Sequence, residues 1–122
     1  MIGFATVGVA NIKIAKDFYD KLFSIIGIKM LWKNDRAVMY GVKNDEATFA
    51  IILPFNKEKQ EPGNGNMVAI KAHSVDEVNN LHNESIAMGG LNEGDPGKRD
   101  VTFYGSYVRD LDGNKLCFYC RI

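Results

Sequence analysis

The chain repeats one order of elements at a period of about half its 122 residues: a short strand, an amphipathic helix, then two or three further strands. A duplicated supersecondary unit constrains the fold more than any local motif, because both copies must bury equivalent faces. In the first copy, residues 4–9 are apolar and β-branched, and Asn11 stands where it can cap a helix. Apolar residues then recur at Ile12, Ala15, Phe18, Tyr19, Leu22, Phe23 and Ile26, which is helical spacing with one buried stripe. Gly27 is placed to end that helix in a left-handed conformation. Strands are expected over residues 28–33, 37–42 and 48–53, separated by the turn residues Asn34-Asp35 and Lys43-Asn44-Asp45.

Residues 54–66 carry two prolines, two glycines and alternating charge. They place a linker at about 55–66, between a module of about 1–54 and a second of about 67–122. The second copy opens with a strand over residues 67–72. Ser74-Val75-Asp76-Glu77 is a capping box ahead of a helix that aligns Val78, Leu81, His82, Ser85 and Met88 on one face, and Gly89-Gly90 closes it. A loop around Gly94, Pro96 and Gly97 is expected next. Strands over 101–109 and 115–121 then flank the hairpin turn Asp110-Leu111-Asp112-Gly113-Asn114. The class is α+β: two βαβββ modules in one domain, each with its helix on one sheet face. The other face of each sheet must be buried elsewhere or line a cleft, and concave apolar clefts are where small ligands bind.

Composition removes several functions. Fifteen basic residues balance fifteen acidic ones, and no segment gathers the basic patch that phosphate neutralisation requires, so nucleic acid is not an expected partner. No apolar run approaches the length of a membrane span and no secretory signal opens the chain, which makes the cytoplasm the expected location. Cys117 and Cys120 have C-x-x-C spacing, but they lie in an apolar strand-like run, where residues three apart point to opposite faces. A redox pair wants a helix N-terminus and a zinc site wants two more soft ligands, so buried free thiols are the favoured reading.

With the modules in place, the chain resembles the vicinal oxygen chelate superfamily of glyoxalase, bleomycin-resistance and dioxygenase domains. The resemblance runs over nearly the whole chain. It is carried by Val7-Gly8-Val9, Ala15, Phe18-Tyr19 and Gly27. In the second half it is carried by Gly63-Asn64-Gly65, Gly89-Gly90, Glu93-Gly94, Pro96-Gly97, Arg99 and Tyr107-Val108-Arg109-Asp110 leading into Asp112-Gly113-Asn114-Lys115. Metal-dependent members of that family place two His or Glu ligands in each module, around a divalent ion that polarises a substrate oxygen. The resemblance puts those positions at Phe4, within residues 49–53, at Met67 and at Cys117, none of which offers nitrogen or oxygen. It therefore implies a protein without metal or other cofactor. The expected function is binding of a small organic ligand in an apolar-aromatic cleft, with homodimer formation. The alternative is a lyase of the lactoylglutathione lyase type, which requires a divalent metal and a base.

Remaining candidates are polar and aromatic side chains. Trp32, Tyr40 and Phe49 fall on three successive strands and either line an aromatic wall or form core beneath the helix. Arg99, Tyr104, Tyr107 and Arg109 form the densest polar-aromatic group, in which a tyrosine hydroxyl with a guanidinium nearby can bind a carboxylate or phosphate. Alternation puts Tyr107 and Arg109 on one face with Phe103, and Tyr104 on the other with Val108. Arg109 is expected to brace the turn through Asp110 or Asp112. The cleft candidates are thus Phe4, Trp32, Tyr40, Phe49, Met67, Arg99, Tyr104, Tyr107 and Cys117. His73 reads as a surface residue, His82 as packed on its helix stripe, and Glu93 and Asp95 as solvated loop acids. No catalytic residue is assigned.

Overall fold

A computed structural model describes residues 1–43 and 46–122, and the chain divides into two units, Met1–Glu61 and Pro62–Ile122. Each unit is a βαβββ module with its own mixed four-stranded sheet, so the described residues form an α+β protein of two helices and eight strands. The turn expected at Lys43-Asn44-Asp45 lies partly outside the described residues. No helix among the described residues is long and apolar enough to cross a membrane.

The first unit contains β1 (Phe4–Gly8), α1 (Ile12–Ser24), β2 (Lys29–Lys33), β3 (Ala37–Gly41) and β4 (Thr48–Ile52), in sheet order β1-β4-β3-β2. Helix α1 starts where the Asn11 side chain accepts from the Ile14 amide at 3.0 Å, replacing one missing intrahelical partner. It ends where Gly27 adopts a φ of 73°, letting the Ile28 amide reach back to the Phe23 carbonyl at 3.0 Å. Its buried stripe of Ala15, Phe18, Tyr19, Leu22 and Phe23 packs on one face of the sheet. Strand β1 runs parallel to β4, and β3 antiparallel to both β4 and β2.

The second unit repeats this with β5 (Val68–Lys71), α2 (Val75–Ala87), β6 (Leu91–Lys98), β7 (Phe103–Arg109) and β8 (Lys115–Arg121), in sheet order β5-β8-β7-β6. Ser74 Oγ accepts from the Glu77 amide at 3.1 Å, and the Glu77 carboxylate accepts from the His73 amide at 2.6 Å, one residue before the cap. Val78, Leu81, His82 and Ser85 face the sheet. Past the helix, a Cβ on Gly90 would stand 2.7 Å from the Ser85 carbonyl oxygen and 2.8 Å from that of Arg109. Only a residue without a side chain lets helix and strand approach so closely.

One expected loop is a strand. The segment with Gly94, Pro96 and Gly97 pairs antiparallel with β7 through two register shifts, at Asn92/Gly94 and Gly94/Gly97. It is the edge strand of its sheet, where a proline's missing N–H costs no ladder bond and bulges absorb glycines.

Candidate ligand-binding face

Residues opposite one another across a ladder share a sheet face, so the register assigns each candidate to the helix side or the open side. In the first unit, Tyr40 pairs with Phe49 beneath α1. Phe23 lies 5.2 Å from the Tyr40 ring and 5.5 Å from that of Phe49, and Tyr19 lies 5.1 Å from Phe49. The Tyr40 hydroxyl donates to Asp20 at 2.8 Å, and burial followed by the Asp20 carboxylate pushes its ionisation far above the usual tyrosine range. Tyr40 and Phe49 are therefore core, not cleft lining. The three-residue aromatic wall does not form, because only Trp32 of the three lies away from α1.

Trp32 pairs with Met39, Met39 with Ala50, Ala50 with Thr6 and Thr48 with Phe4, which defines the open face of the first sheet. Phe4 stays 61% exposed there and Trp32 49%. A cavity of about 530 Å³ opens beside Phe4, lined also by Met1, Ile2, Met39 and Thr48. A second, of about 480 Å³, lies among Ala10, Arg36, Leu53, Pro54 and Phe55, with the Arg36 guanidinium 5.2 Å above the Phe55 ring.

The second unit is richer in polar groups. Across β7 and β8, Tyr107 pairs with Cys117, Gly105 with Tyr119, Phe103 with Arg121 and Arg109 with Lys115. All eight positions share the open face. Phe103 and Tyr119 stack with ring centroids 5.1 Å apart, and Phe103 lies over Gly105, where a Cβ would meet it at 2.7 Å. Cys117 is buried at the centre of the face. Burial pushes its thiol up, against a smaller downward pull from Arg99, the hydrogen-bonding Tyr107 side chain and Lys115. Arg99, just beyond β6, lays its guanidinium 5.2 Å from the centroid of Tyr107. Lys115, Phe103, Tyr119 and Arg121 were not among the sequence candidates. Counting outward by twos from Cys117 through the hairpin reaches every one of them.

Tyr104 sits on the other side, its hydroxyl donating to Asn79 Oδ1 of α2 at 2.8 Å, so it belongs to the helix packing and not to this face. Arg109 does not pair with Asp110 or Asp112 as expected. Its Nε donates to Glu93 at 2.6 Å and its Nη1 to the Gly113 carbonyl at 3.0 Å. The Asp110 carboxylate is turned inward instead, accepting from the Asp112 and Asn114 amides at 2.9 Å each. The hydrogen bond from Arg109 and its charge hold the Glu93 carboxyl below its ordinary range. Asp95 accepts from Asn92 Nδ2 at 2.6 Å. His73 is exposed beside Glu77 at 2.9 Å, whereas His82 is 4% exposed and its Nδ1 has no hydrogen-bond partner among the described residues.

A divalent ion does not fit the positions that the family resemblance indicates. Phe4 offers a benzyl ring. Of residues 49–53, Ala50 and Ile52 lie on the open face, beside Thr6 and Gly8, and carry only hydrocarbon. Met67 precedes β5 with a thioether, and Cys117 offers a buried thiol, two soft donors and no hard one. Among the described residues, no three His, Cys, Asp or Glu side chains gather closely enough to hold a metal.

The model of the Glyoxalase/Bleomycin resistance protein/Dioxygenase superfamily matches residues 1–118. A solved glyoxalase/bleomycin resistance protein from Albidiferax ferrireducens T118 is 32% identical, with a TM-score of 0.91 and coverage of 100% of this chain and 99% of that one. A glyoxalase-related enzyme from Fulvimarina pelagi is 20% identical, with a TM-score of 0.78 and coverage of 98% and 87%. A glyoxalase/bleomycin resistance protein/dioxygenase family enzyme from Burkholderia phytofirmans PsJN is 13% identical, with a TM-score of 0.76 and coverage of 98% of each chain. At those lower identities the likeness is one of fold alone. No protein of curated function matches the chain.

Proposed function

Because the chain belongs to the glyoxalase/bleomycin resistance protein/dioxygenase superfamily, we propose that it binds a small organic ligand without a metal, on the open apolar-aromatic faces of its sheets, and that it does so as a homodimer. One observation carries this reading: the positions that the family resemblance gives to metal ligands hold a phenylalanine, an apolar run at residues 49–53, a methionine and a buried thiol. Hard divalent ions select oxygen and imidazole nitrogen, and the soft pair Met67 and Cys117 does not replace them. What remains is hydrocarbon, aromatic rings and a few cations, which suits holding a molecule more than activating one.

The competing reading is a lyase acting on the adduct of methylglyoxal and glutathione, with nickel or zinc. Two measurements separate them. Elemental analysis of protein purified without chelator is expected to find far less than one zinc, nickel or iron per chain. Isomerisation of the adduct, followed with added nickel or zinc, is expected to stay at background. A stoichiometric ion with turnover would establish the lyase and remove the binding reading.

A further inference from the structure

On the open face of the second sheet, two cations lie against one ring, and among the described residues neither is ion-paired to a carboxylate, although the Lys115 charge is felt by Glu93. The Arg99 guanidinium carbon is 5.2 Å from the Tyr107 ring centroid and the Lys115 ammonium 5.5 Å from it. Backbone carbonyls fix Arg99 in that pose: Nη1 donates to Gly97 at 3.1 Å and Nη2 to Asp95 at 2.6 Å. Neither contact cancels its charge, and a guanidinium has five donors, so most of the fork stays available. The acid of this face, Glu93, is engaged by Arg109 at 2.6 Å, and among the described residues no ion pair joins Arg99 or Lys115 to a carboxylate.

The surroundings hold the cluster in place. A Cβ on Gly97 would stand 3.2 Å from Arg99 Nη1. One on Gly94 would stand 3.4 Å from Nη2 and 2.9 Å from the Tyr107 ring. The two glycines therefore let the guanidinium lie across the edge strand and beside Tyr107. Next along the same face, Tyr119 stacks on Phe103. A cationic end thus adjoins an aromatic floor.

We propose that this is an anion subsite, and that the ligand of the open face is a small organic carboxylate whose apolar body rests against Phe103 and Tyr119 while Arg99 and Lys115 receive its charge beside Tyr107. A planar fork of donors matches a planar carboxylate, and both cations lie within 5.5 Å of the same ring centroid. This assignment rests on the reading of the open face as a ligand site.

The test compares benzoate with its neutral isostere benzamide, by NMR titration of the full chain at low salt. Benzoate is expected to shift the Tyr107 and Tyr119 ring resonances and to bind at least about fivefold tighter than benzamide. That preference is expected to vanish in Arg99→Gln and in Lys115→Gln and to return in part in Arg99→Lys, which restores charge without the fork. It should persist in Lys98→Gln, since Lys98 pairs with Tyr104 on the helix side. Equal binding of the two probes on this face would overturn the anion assignment and leave the binding reading standing. A benzoate preference untouched by Arg99→Gln and Lys115→Gln would overturn it as well. Absence of any shift on this face at millimolar concentrations of either probe would remove both.

Discussion

A hydroxyl buried beneath a helix needs an acceptor, and Tyr40 has two, the Asp20 carboxylate at 2.8 Å and the Lys16 carbonyl at 3.4 Å. Tyr40→Phe keeps the ring among Tyr19 and Phe23 and deletes the donor, so urea unfolding should show a loss of about 0.5–1.5 kcal/mol. Phe49→Ala removes a whole ring from the same cluster and should cost about 3–5 kcal/mol. The reverse order would mean that Phe49 is not core. The sequence could not separate these two residues from Trp32. A β-bulge between Met30 and Trp32 slips the register so that Trp32 pairs with Met39 instead of Val38, and changes face. His82 gives a residue-scale pH dependence. Burial holds its imidazole below the ordinary value of 6.5, with Asp95 pulling it up and Arg99 pushing it down again. The unfolded chain then takes up a proton that the folded one refuses, so stability is full above 6.5 and falls as the pH drops toward the lowered value. Glu93 and Asp100, lowered as well, act only below their ordinary 4.5 and 3.8. Urea midpoints between about pH 7.5 and 5.5 should fall in the wild type and flatten in His82→Gln. Parallel curves would show that His82 does not titrate with folding.

At the scale of elements, both helices were legible because their signals are local: a cap, a stripe at helical spacing, a glycine beyond the last turn. Strand β6 was not. Its glycines and proline spell a loop locally, and pairing with β7 through two bulges overrides that preference, a contact distant in sequence that composition cannot report. The site suffered likewise, since Arg99 was visible as a residue but its seat over Gly94, Gly97 and Tyr107 depends on where the edge strand runs. The joint between α2 and β6 yields the element-scale prediction. Gly90→Ala puts a methyl group against the Ser85 and Arg109 carbonyl oxygens, both backbone, so the helix end or the hairpin must move. Thermal unfolding should show a loss of about 1–3 kcal/mol. Gly3→Ala, where a Cβ meets nothing within 4 Å, should leave the midpoint nearly unchanged and serves as the control. Equal midpoints for the two variants would mean that the joint is looser than described.

For the molecule as a whole, the repeat determines the faces: each module covers one side of its sheet with a helix and leaves the other to something else. In the single chain, Phe4, Trp32 and Met67 remain 61%, 49% and 46% exposed. Where such side chains adjoin in one patch, they mark a surface that another molecule covers. The proposed homodimer accounts for that exposure on the first sheet if the partner copy lies over Trp32. The sequence holds one tryptophan, so its fluorescence reports this position without labelling. As concentration rises through the dimer's dissociation constant, the emission maximum should move to shorter wavelength as indole leaves water, in step with a doubling of mass by sedimentation. Doubled mass with an unmoved spectrum would place the pairing surface away from Trp32. A single-chain mass at every concentration would reject the dimer, and the exposed open face would then have to be covered by the ligand alone.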